Sequence, residues 1–294
     1  MLLPRTWRRN GWTEWHLVVG VLLTMLGVWV TWPAWLDIWG LATRDPEASH
    51  VLLAPFVAAW LAWVRRERLR LCHPRGSVTG PIIIALGWTI SSVGYNFAIQ
   101  SFWHGGALLI VMGCFLTVAG ADVLRRFLPV FLVMFFLVPV PELIRRPLAD
   151  PMQAATAHAT QVVGQTLGMS IERYGNLLRY NGVPVGVAEA CNGMRMVFTL
   201  LLVSFAFAFG TPLRGYVRAL FIVGSPISAV ICNVIRMIPT VWVFGHYSTE
   251  FADQFHKVAG WVMVVVAFLL LMGVLKLMQW AMLPVRQYTL AYDY

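Results

Sequence analysis

Residues 258–283 read VAGWVMVVVAFLLLMGVLKLMQWAML and carry one charged side chain, Lys276. A helix of about 20 apolar residues is long enough to cross the hydrocarbon core of a bilayer, which is about 30 Å thick. A stretch of this length and composition is typical of a transmembrane helix. It therefore predicts that the end of this chain lies in lipid.

Apolar runs of the same kind recur through the rest of the chain, separated by short segments that hold most of the charges. Together they predict an all-α fold, a polytopic helical bundle with about eight transmembrane helices. The expected spans are Trp15–Trp39, His50–Val64, Pro81–Ile99, Gly105–Ala121, Phe127–Ile144, Gly193–Phe209, Tyr216–Ile235 and Val258–Leu283.

Composition excludes the main soluble classes. Of the 294 residues, 59% are hydrophobic and 12% are charged, and the mean hydropathy is +0.70. So few charges could not cover the surface of a soluble protein of this size. The net charge of +9 is not arranged as a basic stripe interleaved with aromatic residues, so we expect no nucleic-acid partner. We expect one membrane domain over residues 1–294, with the lipid bilayer as its surroundings.

The distribution of Lys and Arg predicts the orientation, because positive loops are retained in the cytoplasm. Arg5, Arg8 and Arg9 precede the first span, and a cluster at 65–70 follows the second. We therefore expect both termini inside. This orientation places the polar segment 145–190 on the outer face of the membrane.

Segment 145–190 has two predicted parts. Asp150–Leu167 has an apolar face and a polar face, which indicates an amphipathic helix. Residues 171–187, IERYGNLLRYNGVPVGV, begin with a stretch of alternating apolar and polar side chains. Asn181-Gly182 follows, a pair that favours a tight turn. A β-hairpin and a re-entrant loop both fit this pattern.

Cys191 stands out among the four cysteines. It lies at the predicted start of the sixth span, beside Glu189, Asn192 and Arg195. A helix N-terminus and a nearby cation both favour a thiolate, so Cys191 is a candidate nucleophile. A buried structural cysteine is the alternative. The four cysteines show no CxxC spacing, and we expect neither a metal nor a cofactor.

Arg236 is a second candidate. It follows Asn233 by one turn, at the outer end of the predicted seventh span. Ionisable residues inside a membrane are costly and commonly mark functional sites, whereas an Arg near the interface can also extend its head group to water. A guanidinium in this position would suit a carboxylate or an oxyanion.

His256 is the third candidate, at the start of the last span, where an ordinary residue at the water boundary is the alternative. Asp253 lies three residues earlier and could orient the imidazole. His246 competes for the same role but falls in the predicted linker between spans.

Cys, Arg and His brought to one face would form a cysteine transferase: a nucleophile, an oxyanion partner and a proton carrier. Two other classes stay open. One is a multi-span transporter or channel with a polar outer cluster, although the sequence has no inverted repeat. The other is an envelope assembly protein or acyltransferase in which Cys191 is structural.

Three motifs carry a resemblance to a known family. Glu189-Ala190-Cys191-Asn192-Gly193-Met194-Arg195 resembles the central signature of the exosortase/archaeosortase family, with Asn192 in place of the usual Ser. Asn233 with Arg236, and His256 with Gly260, are similar to the family's two later motifs. The order and spacing agree.

The resemblance implies a membrane cysteine peptidase or transpeptidase with Cys191, Arg236 and His256 as its catalytic residues. Glu189, Asn192, Arg195 and Asn233 would support them. The implied partners are exported proteins with a C-terminal sorting signal of the PEP-CTERM type, made of a short motif, a transmembrane helix and a basic tail. Cleavage would occur on the outer face of the bacterial or archaeal inner membrane, as a step in protein sorting.

Overall fold

A computed structural model describes residues 11–44, 46–74, 76–186 and 193–280. Its contacts divide the chain into two compact units, Met1–Pro141 and Glu142–Tyr294. The prediction of a single domain stays a prediction, and each unit is described by itself.

Helices are the only regular secondary structure among the described residues of the first unit. Short 3-10 helices at Pro46–Leu53, Arg66–Leu71 and Phe135–Leu137 lie next to its α-helices. The α-helices are α1 (Glu14–Val30), α2 (Trp32–Arg44), α3 (Ala54–Val64), α4 (Thr79–Asn96), α5 (Gln100–Ala119), α6 (Ala121–Arg126) and α7 (Leu128–Met134).

The expected first span is broken between α1 and α2, which are bent by 74°. Pro33 lies in the first turn of α2, where its ring cannot donate the hydrogen bond that would continue α1. Thr31 occupies the break: its hydroxyl donates to Gly27 O at 2.7 Å and accepts from Trp35 Nε1 at 2.8 Å. The proline and these side-chain bonds explain the sharp bend.

Helices α4 and α5 approach each other almost backbone to backbone. Gly80, Gly87 and Gly94 recur every seventh residue of α4, and all three are buried. A Cβ placed on Gly87 would lie 2.8 Å from the carbonyl oxygen of Gly106 in α5. Small residues at this spacing are how helices associate closely in lipid.

Within its described residues, the second unit combines four helices with a small sheet. The helices are α8 (Glu142–Thr166), α9 (Gly193–Gly210), α10 (Gly215–His246) and α11 (Thr249–Trp280). The strands β1 (Glu172–Tyr174), β2 (Leu177–Tyr180) and β3 (Val183–Gly186) form an antiparallel sheet in that order. Helix α8 confirms the expected helix at 150–167 and begins earlier than predicted.

The β2–β3 connection decides between the two interpretations of residues 171–187. Asn181 and Gly182 both have positive φ, 50° and 80°, as a two-residue hairpin turn requires. Tyr180 pairs with Val183 across that turn. This segment is a β-hairpin extended by a third strand. It adds a small sheet to the predicted all-α fold.

The sheet packs on one end of α10. Leu178, Tyr180 and Val185 share an apolar cluster with Met237 and Val241 of α10. This contact fixes the sheet beside the part of α10 that contains Arg236.

Three described helices are long and apolar enough to cross a membrane: α5, α10 and α11. The bent α1–α2 pair makes a fourth if it is one span, and three apolar helices are shorter. These helices support a multi-pass membrane protein. The count of eight spans and the inward orientation of both termini stay predictions.

Helices α10 and α11 extend beyond the predicted spans. Each has 32 residues, which makes each about 48 Å long, against a hydrocarbon core of about 30 Å. The seventh span was expected to end at Ile235, but α10 continues to His246. Arg236 therefore lies within a continuous helix and not at its end.

Candidate active site

Arg236 is held in place by its own helix. Its side chain is 5% exposed, and Nη2 donates a 2.8 Å hydrogen bond to Asn233 Oδ1, one turn earlier. Asn233 is itself 4% exposed. A buried guanidinium needs such partners, because its desolvation costs several kcal/mol otherwise. The predicted pairing of Asn233 with Arg236 is present in the structure.

The guanidinium reaches across to α11. A Cβ placed on Gly260 would lie 2.8 Å from Arg236 Nη1, closer than ordinary van der Waals contact. Arg236 therefore lies against the backbone of α11 at a position where any larger residue than glycine would displace the guanidinium. The short connection at residues 247–248 makes α10 and α11 antiparallel neighbours, which brings these two residues to the same level.

His256 lies one helical turn before Gly260, on the same side of α11. Its Nδ1 is buried and accepts or donates no hydrogen bond within the part of the chain that the structure describes. The charge of Arg236 acts on the His256 imidazole. The structure therefore places Arg236 and His256 near each other, and their catalytic roles stay predictions.

Arg195 joins this pair from a third helix. It lies in the first turn of α9, is half-buried, and its charge acts on both Arg236 and His256. Two guanidinium groups and an imidazole thus come from α9, α10 and α11. The two guanidinium charges would stabilise an anion that binds or develops nearby.

Three of the predicted residues, Glu189, Cys191 and Asn192, lie outside the described residues. In the sequence, Cys191 comes two residues before Gly193, the first residue of α9.

The structure does not support Asp253 as a partner of His256 or His246 as its competitor. Asp253 is exposed and makes no hydrogen bond to Nδ1 of His256. His246 is the last residue of α10 and does not lie in a linker, and its side chain is exposed. Its Nδ1 lies 2.9 Å from Trp242 O, and its ring stacks on the indole of the same residue.

The other three cysteines are buried. Cys114 lies in α5 and Cys232 in α10. Cys72 follows the second 3-10 helix, and its carbonyl accepts a 3.0 Å bond from Trp12 Nε1. These positions agree with structural roles. No group of three or more His, Cys, Asp or Glu side chains that could hold a metal occurs among the described residues.

One polar cluster in the first unit was not predicted. Asp37 Oδ2 of α2 accepts from Gln100 Nε2 at 2.7 Å and lies 2.9 Å from His104 Nε2. His104 is fully buried in α5. The sequence signal was a lone carboxylate in the first apolar run and a lone histidine just before the fourth, which spacing alone could not pair.

Comparison with known proteins supplies the family. A search of curated proteins and a search of solved structures found no match to the chain. A family model described as transmembrane exosortase matches residues 35–273. The matched region covers most of the chain and includes Arg195, Asn233, Arg236 and His256. The chain therefore belongs to the transmembrane exosortase family.

Proposed function

We propose that this protein is a membrane-embedded cysteine peptidase or transpeptidase that cleaves C-terminal sorting signals of exported proteins. The observation that carries the proposal is the placement of Arg236. Its guanidinium is bonded to Asn233, lies against Gly260 and acts electrostatically on His256. A buried, oriented cation can stabilise an oxyanion, and a nearby imidazole can transfer protons.

Cys191 is the proposed nucleophile. Its thiolate attacks the scissile carbonyl carbon, and the carbonyl oxygen becomes an oxyanion. Arg236 stabilises that oxyanion through its guanidinium N–H groups, with Arg195 adding positive charge. The family signature, in which Cys191 precedes Arg195 by four residues, supports this assignment.

His256 carries the protons. As the tetrahedral intermediate collapses, the C–N bond breaks and the imidazolium protonates the leaving amine, which leaves a thioester on Cys191. Neutral His256 then accepts a proton from the incoming nucleophile, which is water or an acceptor amine or hydroxyl. Attack of that nucleophile on the thioester releases the thiolate and completes the transfer.

Asn233, Asn192 and Glu189 have supporting roles in this proposal. Asn233 fixes the guanidinium, and Asn192 and Glu189 flank the nucleophile in the sequence. The proposed location is the inner membrane, with cleavage on its outer face. A substrate whose signal includes a transmembrane helix would reach a protein of this kind from within the bilayer.

The test is the substitution Cys191→Ala in cells that also express an exported reporter ending in a short motif, an apolar helix and a basic tail. We expect loss of C-terminal trimming, measured by the mass of the reporter. Cys232→Ala is the matched control, because it removes the same atom from a buried cysteine in α10. Hydroxylamine should release reporter held as a thioester on the wild-type enzyme only. Trimming that persists in Cys191→Ala would refute the assignment and favour a structural cysteine.

A further inference from the structure

A cavity of about 400 Å³ lies in the first unit, where α4 ends and α5 begins. Its walls come from the α1–α2 break, the last two turns of α4 and the first turns of α5. Pockets for small molecules begin at about 300 Å³. The cavity is therefore large enough for a ligand the size of a single sugar ring.

Three aromatic rings line this cavity: Trp88, Tyr95 and Trp103. Trp88 is 67% exposed and Tyr95 is 74% exposed. The rings of Tyr95 and Trp103 have centroids 6.3 Å apart and planes inclined at 61°, so they form a corner. Aromatic faces in such an arrangement bind either the C–H face of a pyranose or a cation.

The polar lining distinguishes between these two ligands. Ser92, Tyr95 and Asn96 line the cavity, and their side chains make no hydrogen bond to any residue the structure describes. A hydroxyl, a phenol and a carboxamide each both donate and accept. Every lining side chain that the structure describes is uncharged. Neutral groups of both kinds match sugar hydroxyls, whereas a cation would be matched by a carboxylate.

Exposed Trp and Tyr residues also mark membrane interfaces. An interfacial ring, however, needs one polar tip in contact with water. It does not need three rings, a hydroxyl and a carboxamide gathered in one concave site. The combination in this cavity is the feature that calls for a ligand.

We infer that this cavity binds a neutral pyranoside through stacking on Trp88 and Tyr95 and hydrogen bonds to Ser92 and Asn96. The inference is independent of the catalytic proposal, because all of these residues lie within the first unit. A sugar headgroup of a membrane lipid and a free sugar share this chemistry, and the experiment separates them.

The experiment uses the full chain in phospholipid nanodiscs and an octyl glucoside that carries a photoreactive diazirine on its tail. We expect cross-linking to peptides from α4 and the start of α5, mapped by mass spectrometry. Competition then uses three probes with equal octyl tails: octyl glucoside, octyl tri(ethylene glycol) and octyltrimethylammonium. Methyl glucoside, which lacks the tail, is the fourth.

Only the glucosides should compete. If methyl glucoside competes as well as octyl glucoside, the site binds the sugar alone; if it competes much more weakly, the site binds a sugar linked to lipid. Both results support the inference. Equal competition by octyl tri(ethylene glycol), stronger competition by octyltrimethylammonium, or no labelling of these peptides would each overturn it.

Variants test the named contacts. Asn96→Ala should weaken competition about fivefold, the value of one hydrogen bond. Trp88→Ala should weaken it about tenfold, because its ring is a stacking surface. Trp39→Ala is the matched control: Trp39 is 63% exposed, lies in α2 and does not line the cavity. A loss of labelling equal in Trp88→Ala and Trp39→Ala would contradict the assignment.

Discussion

The close approach of Arg236 to Gly260 predicts a sharp effect for Gly260→Ala. The new methyl group would lie 2.8 Å from Arg236 Nη1, whereas ordinary contact begins at 3.4 Å. The guanidinium must then retreat by about 0.6 Å, the difference between these two distances, and its 2.8 Å bond to Asn233 is strained as it does so. Since a misplacement of about 1 Å can reduce a rate about a hundredfold, we expect reporter trimming to fall about tenfold.

Stability should not fall with activity. Arg236 Nη1 is the end of a flexible side chain, and alanine is favoured over glycine inside a helix by up to about 1 kcal/mol. Thermal unfolding of purified Gly260→Ala in detergent should therefore match or exceed the wild type. Gly273→Ala is the control on the same helix, because nothing lies within 4 Å of its Cβ. Wild-type trimming by Gly260→Ala would refute the close approach and its role.

Three further predictions concern separate contacts. Asn233→Ala removes the acceptor for Arg236 Nη2, a hydrogen bond to a charged group that contributes about 1.5–3 kcal/mol. We therefore expect reporter trimming to fall at least tenfold. Ser225→Ala is the control and should trim normally, because the Ser225 hydroxyl bonds only to its own helix. Gly87→Ala should lower the free energy of unfolding by about 1–3 kcal/mol, because its Cβ would meet the backbone of α5. Thermal unfolding measures this change. Gly40→Ala is the control and should leave the free energy of unfolding unchanged, because open space surrounds its Cβ. Burial raises the pKa of the Cys72 thiol. In a variant with Cys72 as the sole cysteine, alkylation at neutral pH should therefore be slower than in the denatured chain, and its rate should still increase above pH 9. An alkylation rate that levels off below pH 9 would contradict the burial of Cys72.

The sequence predicted those features that depend on local chemistry. Asn181-Gly182 marked the hairpin because few other pairs adopt two consecutive positive φ values. The apolar run at 258–283 marked α11 because lipid selects composition directly. The motif containing Arg236 was recognised because its spacing, Asn233 one turn before Arg236, places both side chains on one face.

The remaining features depend on packing between segments distant in the chain. Hydropathy marks where lipid contact ends, not where helical hydrogen bonds end, so α10 and α11 extended beyond their predicted spans. Pro33 could be read in the sequence, but the apolar run continues on both sides of it and predicted a single straight span, so the bend was not predicted. The contact of Arg236 with Gly260 joins residues 24 positions apart, and only the pairing of α10 with α11 reveals why that position is glycine.

The glycine contacts between α4 and α5 have a consequence for how the protein is made. Only residues 97–99 separate the two helices, so their contacts are local in the chain and close with little loss of chain entropy. The glycines of α4 meet α5 directly, so the pair has close backbone contacts of its own. The pair can therefore assemble as a hairpin as soon as both helices have been synthesised. Later segments of the first unit would then fold against a surface that already exists.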